Sequence, residues 1–214
     1  MSKWMNYIIQ ESNKENKLTK KQENILIAAV ELISEKGYEK VSTAEIAKKA
    51  GVAEGTIFRQ YKTKRDLLDA ILIPSFIRFA KPMIIKEFIY DVLDKEYPSL
   101  ANFVETIVRD RYEFAKEETP LFRIIIQEMI SQDYIKQEIR KTFLNNAYPV
   151  FTKLINKFKI ENEIINVDEM TFFRIIVTNT LGFLIPRFVL FPDLQWDDEK
   201  EINMTIQNII KSLT

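Results

Sequence analysis

The stretch Val41–Lys64, VSTAEIAKKAGVAEGTIFRQYKTK, decides how this chain is read. Ser42 precedes Glu45 by three residues, so its hydroxyl can accept from an orphan N–H of a helix start while the Glu45 carboxylate reaches back to the Ser42 N–H. That is a capping box, and a helix therefore begins at about Thr43. Ile46, Ala47 and Ala50 recur at helical spacing as an apolar face whose two alanines let a second helix come close, and Lys48 and Lys49 fall on the wet side. Gly51 stands where that helix must stop with positive φ, a geometry that costs a residue with a Cβ roughly 1 kcal/mol or more. Val52 plugs the corner. A second short helix runs from about Glu54 to Gln60, with Ile57 facing inward and Thr56, Arg59 and Gln60 projecting outward. Two short helices around a glycine turn form a helix-turn-helix.

The projecting side chains suit bases and phosphates. Arginine grips guanine bidentately, glutamine does the same for adenine, and threonine bonds a phosphate oxygen or meets a thymine methyl. Tyr61, Lys62, Lys64 and Arg65 follow at once. Between Lys40 and Arg65 seven lysines or arginines face two acids, so the segment carries +5 within a chain whose net charge is zero. Positive charge is concentrated where a nucleic-acid backbone would lie.

The segment resembles the DNA-binding domain of the TetR (tetracycline-repressor-like) family of bacterial regulators. The pieces that carry the resemblance are Glu35-Lys36-Gly37-Tyr38, Ser42, Glu45-Ile46-Ala47, Ala50-Gly51-Val52, Gly55-Thr56-Ile57-Phe58, Tyr61, Lys64 and Leu67-Leu68, over about 50 residues. It implies that Ser42, Thr56, Tyr61 and Lys64 hold phosphates while Arg59 and Gln60 lie nearest the bases. With the neighbouring Thr43 and Lys62, these form the expected DNA-binding set. Two positions depart from the family pattern. Ala53 opens the second helix where a capping Ser or Thr is common, which removes that cap and its phosphate contact unless Glu54 substitutes at the helix start. Phe58 replaces a frequent Tyr, leaving only packing or a thymine methyl as its contact.

The resemblance also implies the architecture: an all-α fold with an N-terminal three-helix DNA-binding domain (18–72) and a C-terminal helical bundle for ligand binding and dimerisation (73–214). A flexible arm (1–17) precedes them. The implied partners are double-stranded DNA, read in the major groove of a pseudo-palindromic operator, a small-molecule effector, and a second copy of the chain. No cofactor or metal is expected.

Composition agrees. An apolar content of 46 % with 12 % aromatics over 214 residues is ample for a buried core. The absence of cysteine excludes disulfides and thiolate chemistry and fits a reducing cytoplasm. The absence of histidine excludes His-based triads, His general bases and His zinc sites. No phosphate-binding glycine loop or nucleophile elbow is present, and the paired acids Glu117-Glu118 and Asp197-Asp198 read as solvated helix ends, so an enzyme is not expected. The longest apolar run, Ile175–Phe191, is 17 residues interrupted by Asn179, Pro186 and Arg187, a buried helix rather than a membrane span. The start, MSKWMNYIIQESNKENK, lacks the apolar stretch of a signal peptide.

Helical periodicity continues along the chain. A first helix is expected from Lys20 to Lys36, closed by Gly37, and a fourth from near Lys64 that meets Pro74 and Pro82; Pro74 is either a simple helix end or a joint between the domains. Further helices are expected over Ser99–Glu118, Pro120–Ser131, Asp133–Phe158, Asp168–Leu190 and Asp198–Leu213. The last two carry apolar residues on more than one face, with Gly182 placed to let two backbones approach, and read as the dimer interface; ordinary core packing explains the same residues nearly as well. Phe103, Tyr112, Phe122, Tyr148, Phe151 and Phe183 are the aromatics expected to line an effector pocket, and Arg109, Arg123 and Arg174 the cations expected to meet a ligand carboxylate or phosphate. Core packing and surface ion pairing are their competing roles. The effector is expected to be apolar or amphipathic. The competing reading of the whole chain is a helical protein-interaction module that has lost specific DNA binding.

Overall fold

The computed structural model describes residues 19–37, 40–60, 62, 63, 66, 92–131 and 133–214. The expected arm, the body of the fourth helix with Pro74 and Pro82, and the domain border near Ile73 lie outside the described residues, as do Tyr61, Lys64 and Arg65. All regular structure among the described residues is helical: α1 (Lys20–Lys36), α2 (Thr43–Ala50), α3 (Glu54–Gln60), α4 (Leu100–Glu117), α5 (Thr119–Ser131), α6 (Asp133–Thr142), α7 (Tyr148–Ile160), α8 (Glu169–Ile185) and α9 (Asp198–Leu213). The chain forms two compact units, one made of its N-terminal part together with Glu117–Lys136, the other of Ile85–Lys116 and Gln137–Thr214.

In the first unit, helix starts are fixed by side chains. Thr19 and Gln22 form a capping box at α1, and Ser42 and Glu45 form one at α2. Thr63 and Asp66 exchange the same pair of bonds, each 3.0 Å, where the fourth helix is expected to begin. Each box satisfies two N–H groups that have no intrahelical partner. α1 packs against α2 and α5. It buries Ile25, Leu26, Ala29 and Ile33; α5 buries Leu121, Phe122, Ile124 and Ile126; Ile46 and Ala47 come from α2 and Ile57 from α3. Burying each of the larger aliphatic side chains contributes roughly 1.5–3 kcal/mol, so three short helices that would be marginal alone are held by a shared core.

The second unit is organised around Phe103 of α4, which is wholly buried and has the rings of Tyr97, Phe151, Phe158 and Phe172 within 5.1–6.2 Å. Asp168 caps α8 by accepting from Thr171 N–H (2.9 Å) and Asp197 caps α9 by accepting from Lys200 N–H (3.1 Å). The Leu100 N–H, at the start of α4, donates to the Glu163 carboxylate (2.6 Å), 63 residues away. Glu163 is delivered there by a turn at Asn162, the one non-glycine residue with positive φ (57°) among the described residues.

Two helices depart from the expected single spans. Asp133–Phe158 is interrupted by a π turn over Phe143–Ala147, in which the Tyr148 N–H reaches back five residues to the Phe143 carbonyl. Pro149 supplies the cause: it has no N–H, and its ring crowds the carbonyl four residues earlier, so the backbone widens there. Pro186 likewise opens the π turn Pro186–Leu190 that extends α8. The combined helix Glu169–Leu190, 22 residues long with an 18-residue stretch of mean hydropathy 1.4, is long and apolar enough by length and composition to cross a membrane, and is longer than the apolar run read from the sequence. Here it packs against α7 and α9, with a third of that apolar stretch buried.

The Glu45 carboxylate accepts from the Lys36 ammonium (2.6 Å) and from the Ser42 N–H (2.9 Å), joining the end of α1 to the start of α2. The Lys36 hydrogen bond first, and those from Ser42 next, hold its pKa down to about 2 from an ordinary 4.5. A carboxylate depressed in the folded state contributes stability that is present above its unfolded pKa and lost as pH falls through the folded one. Thermal melts of wild type and Glu45→Gln should therefore differ above pH 4.5 and converge as pH falls towards 2; a difference independent of pH would show that the ion pair is not the cause.

Candidate nucleic-acid interface

The turn between α2 and α3 is set by backbone geometry. Gly51 adopts φ 68°, ψ 33°, in the left-handed region. Its N–H donates to the Lys48 carbonyl (3.3 Å) and the Val52 N–H donates to the Ala47 carbonyl (3.0 Å). This paired closure is the Schellman arrangement, which satisfies two orphan carbonyls and directs the chain away from the helix axis. On the far side of the turn the Thr56 N–H donates to the Ala53 carbonyl (2.8 Å), beginning α3 without a side-chain cap from Ala53.

A second tie spans the two helices. The Thr43 hydroxyl, on a residue only 9 % exposed, donates to Glu54 Oε1 at 2.8 Å. Thr43 therefore stands behind the interface, linking the first residue of α2 to the first of α3. Glu54 takes part in placing α3 by this bond, a role the sequence reading missed. The available signal was the coincidence of an uncapped Ala53 with a Thr and a Glu at the two helix starts.

From this frame α3 turns one face inward and the rest outward. Ile57 is completely buried, Thr56 is half-buried, and Glu54, Gly55, Phe58 and Arg59 are exposed. Gln60 belongs to α3, with only its backbone described. Ser42 caps α2, and its hydroxyl lies 3.0 Å from Glu45 Oε2, so a phosphate contact would require the hydroxyl proton to turn from that acceptor. Acids hold part of the basic charge: Lys36 pairs with Glu45 at 2.6 Å and Lys49 with Glu31 at 3.0 Å. Lys48, Arg59 and Lys62 are exposed and without an acidic partner among the described residues. The result is a cationic surface that also exposes an apolar ring, Phe58, by 47 %.

The expected effector residues separate into groups. Phe103 and Phe151 meet at 6.2 Å in the aromatic core of the second unit. Tyr112 stacks on Phe183 at 6.0 Å and donates to Asp198 (2.7 Å), which is also held by Arg187. Burial first, then the Asp198 carboxylate, push the Tyr112 phenol up; burial opposes ionisation of Asp198, but the Arg187 and Tyr112 hydrogen bonds hold its pKa down. Tyr148 lies against Phe143 (5.9 Å). Arg109 pairs with Glu105 and Glu199, which raise its pKa, and Arg174 is exposed. Phe122 and Arg123 belong to the first unit and the others to the second. An open groove of about 770 Å³ is lined by Tyr112, Trp196 and mostly charged side chains, including Glu113, Lys116 and Asp197. Of the expected set only Tyr112 reaches it.

A two-unit helical chain whose N-terminal unit is a capped helix-turn-helix belongs to the class of helix-turn-helix proteins. Residues 25–71 match the model of the bacterial regulatory proteins, tetR family. The chain is 52 % identical over 48 residues to an uncharacterised HTH-type transcriptional regulator, YvkB, of Bacillus subtilis, covering 22 % of this chain and 25 % of that one. It is 42 % identical over 59 residues to the fatty acid metabolism regulator protein of the same organism, 28 % of this chain and 30 % of that one. The matched stretch thus spans only about a quarter of the length of these curated relatives. The solved structure of the transcriptional regulator FadR of Bacillus subtilis in complex with stearoyl-CoA shares the fold over 89 % of this chain and 98 % of its own, with a TM-score of 0.63 and 20 % identity. The similarity to the tetR family lies in residues 25–71, and beyond them the likeness is one of fold.

Gly55 is exposed in α3, and a Cβ built there meets nothing within 4 Å. Alanine fits the fold and raises helix propensity by up to about 1 kcal/mol. Gly55→Ala should leave the melting temperature unchanged or higher and weaken DNA binding at least tenfold by holding α3 off the duplex. Unchanged affinity in a titration of fluorescent operator would mean that this face does not approach DNA.

Proposed function

We propose that the protein is a DNA-binding transcriptional regulator acting in the cytoplasm, a repressor that binds a pseudo-palindromic operator as a homodimer and leaves it when a small apolar or amphipathic effector binds. The observation that carries the reading is the exposed face of α3 with Arg59 and Phe58, following the Gly51 turn, together with Lys48 and Lys62, exposed and unpaired among the described residues. Ser42, Thr56, Tyr61 and Lys64 are proposed to grip phosphates, with Arg59 and Gln60 at the bases. A single short helix reads few bases, and two copies one helical turn apart, about 34 Å, double the contact.

The test is selection of genomic DNA by the purified protein across a salt series. One pseudo-palindrome with salt-sensitive affinity supports the regulator; weak, sequence-blind binding would favour an interaction module. On the selected operator, Arg59→Ala should relax preference at one base position per half-site, while Lys62→Ala should weaken all sequences alike and reduce the salt slope by about 1 per contact removed. If neither variant alters affinity, the DNA-binding reading fails.

Dimerisation through α8 with its π extension (168–190) and α9 (198–213) is supported by what these helices leave uncovered. Met170, Leu190 and Met204 are 47–59 % exposed, and Ile175, Val177, Leu181, Ile206 and Ile210 are half-buried. Gly182 is exposed at mid-helix, where a Cβ meets nothing within 4 Å among the described residues. There glycine costs about 1 kcal/mol relative to alanine, a sacrifice that close approach by a partner backbone explains. Gly182→Leu should keep full helix content and give a monomer in sedimentation equilibrium; a persistent dimer would place the interface elsewhere.

For the effector, the relative that regulates fatty acid metabolism and the fold neighbour that holds stearoyl-CoA make a long-chain acyl thioester the first compound to try for operator release.

A further inference from the structure

Resting on the DNA-binding reading, we propose that Glu54 is a base-reading residue selecting cytosine at one position of each half-site, and that Thr43 is the positioning residue that aims it. Glu54 is the first residue of α3 and is exposed, and the opening residues of the second helix are those that approach base edges in a helix-turn-helix. Its carboxylate is not free to swing. Oε1 accepts from the Thr43 hydroxyl at 2.8 Å, and Thr43 is itself buried between the helices, so the side chain is anchored at one oxygen with the other left for an outside donor. The rotamer freedom that a surface glutamate loses on binding is already removed here, which favours recognition over incidental contact.

The chemistry of the free oxygen determines what it can read. A carboxylate oxygen only accepts. In the major groove guanine offers two acceptors, thymine an acceptor and a methyl, and adenine an acceptor beside its amine, whereas cytosine offers its N4 amine alone. Phosphates repel the carboxylate, so cytosine is the partner that compensates it. Phe58 lies four residues on and therefore on the same side of α3, exposed, about 6 Å further along the axis. That separation is close to two base-pair steps of about 3.4 Å, and no exposed side chain stands at Gly55 beside Glu54.

The experiment is a binding-site selection with wild type, Glu54→Gln, Thr43→Val and Thr43→Ser, followed by affinities for the wild-type operator and its single-base variants. Wild type should require cytosine at one position per half-site by tenfold or more. Glu54→Gln should shift that position towards adenine, whose N6 and N7 suit an amide, and leave the other positions alone. Thr43→Val should relax the same position without a new preference, and Thr43→Ser, which keeps the hydroxyl, should restore it. An unchanged base profile in Glu54→Gln overturns the assignment. So does a uniform gain in affinity across all sequences, which would mean that the carboxylate only repels the backbone. If wild type selects no operator at all, the regulator reading falls first and this inference with it.

Discussion

Everything the N-terminal unit can present to a partner depends on the direction in which α3 leaves α2, and that direction is set at one residue with φ 68°. An L-residue with a Cβ is strained in this region, whereas glycine enters it freely. The strain would not stay local. Gly51 donates to Lys48 and the following N–H donates to Ala47, so a shift at this residue breaks the closure of α2 and moves the start of α3 together. The bond from Thr43 to Glu54 acts as a second hinge pin, joining the two helix starts on the other side of the turn. Two constraints on seven residues of helix hold Ile57 in the core and Arg59 outside it.

Electrostatics then refines the crude charge count. The +5 between Lys40 and Arg65 is redistributed rather than reduced, since Lys49 is held by Glu31 from outside the segment. Glu45, in turn, is neutralised by Lys36 from outside the segment. Exposed ion pairs of this kind are worth little as stability; their effect is to decide which cations remain unpaired. Within the segment those are Lys40, Lys48, Arg59 and Lys62 among the described residues. A neutral chain can thereby present a positive surface at one place, which is what steering towards a polyanion requires.

The elements were legible where local chemistry fixes them. Capping residues, glycine stops and periodicity located α1, α2, α3 and α9 to within a residue or so, because those signals lie within the helices they define. The π turns at Phe143–Ala147 and Pro186–Leu190 were not foreseen: Pro149 and Pro186 were visible, but whether a proline ends a helix or widens it depends on packing that the local sequence does not hold. In the candidate interface the exposed face of α3 was readable from Ile57 alone. Thr43 was counted with the outward residues because it adjoins Ser42, and its burial became evident only with α3 in place. For the effector residues the reading was weakest. Phe103 and Phe151 share a core, whereas Arg109 is satisfied by Glu105 and Glu199, and nothing in apolar periodicity distinguishes a residue that lines a pocket from one that fills a core.

Gly55 and Gly182 make one further point about what selects a sequence. At both positions the fold has room for a Cβ, and helix propensity favours alanine by up to about 1 kcal/mol. Neither has positive φ. Helix propensity alone would favour alanine at each, so packing among the described residues does not account for either glycine. Both face outward, one on the recognition helix and one on an apolar helix whose neighbours are only half-covered. The constraint we propose for both is a surface outside the chain that needs the backbone itself within reach. For Gly55 the candidate is a nucleic acid, given the cations around it, and for Gly182 it is a second apolar helix, given Leu181 and Ile185 beside it. Sites where a sequence forgoes available stability thus support the two surfaces proposed for binding, by an argument from the backbone rather than from family likeness.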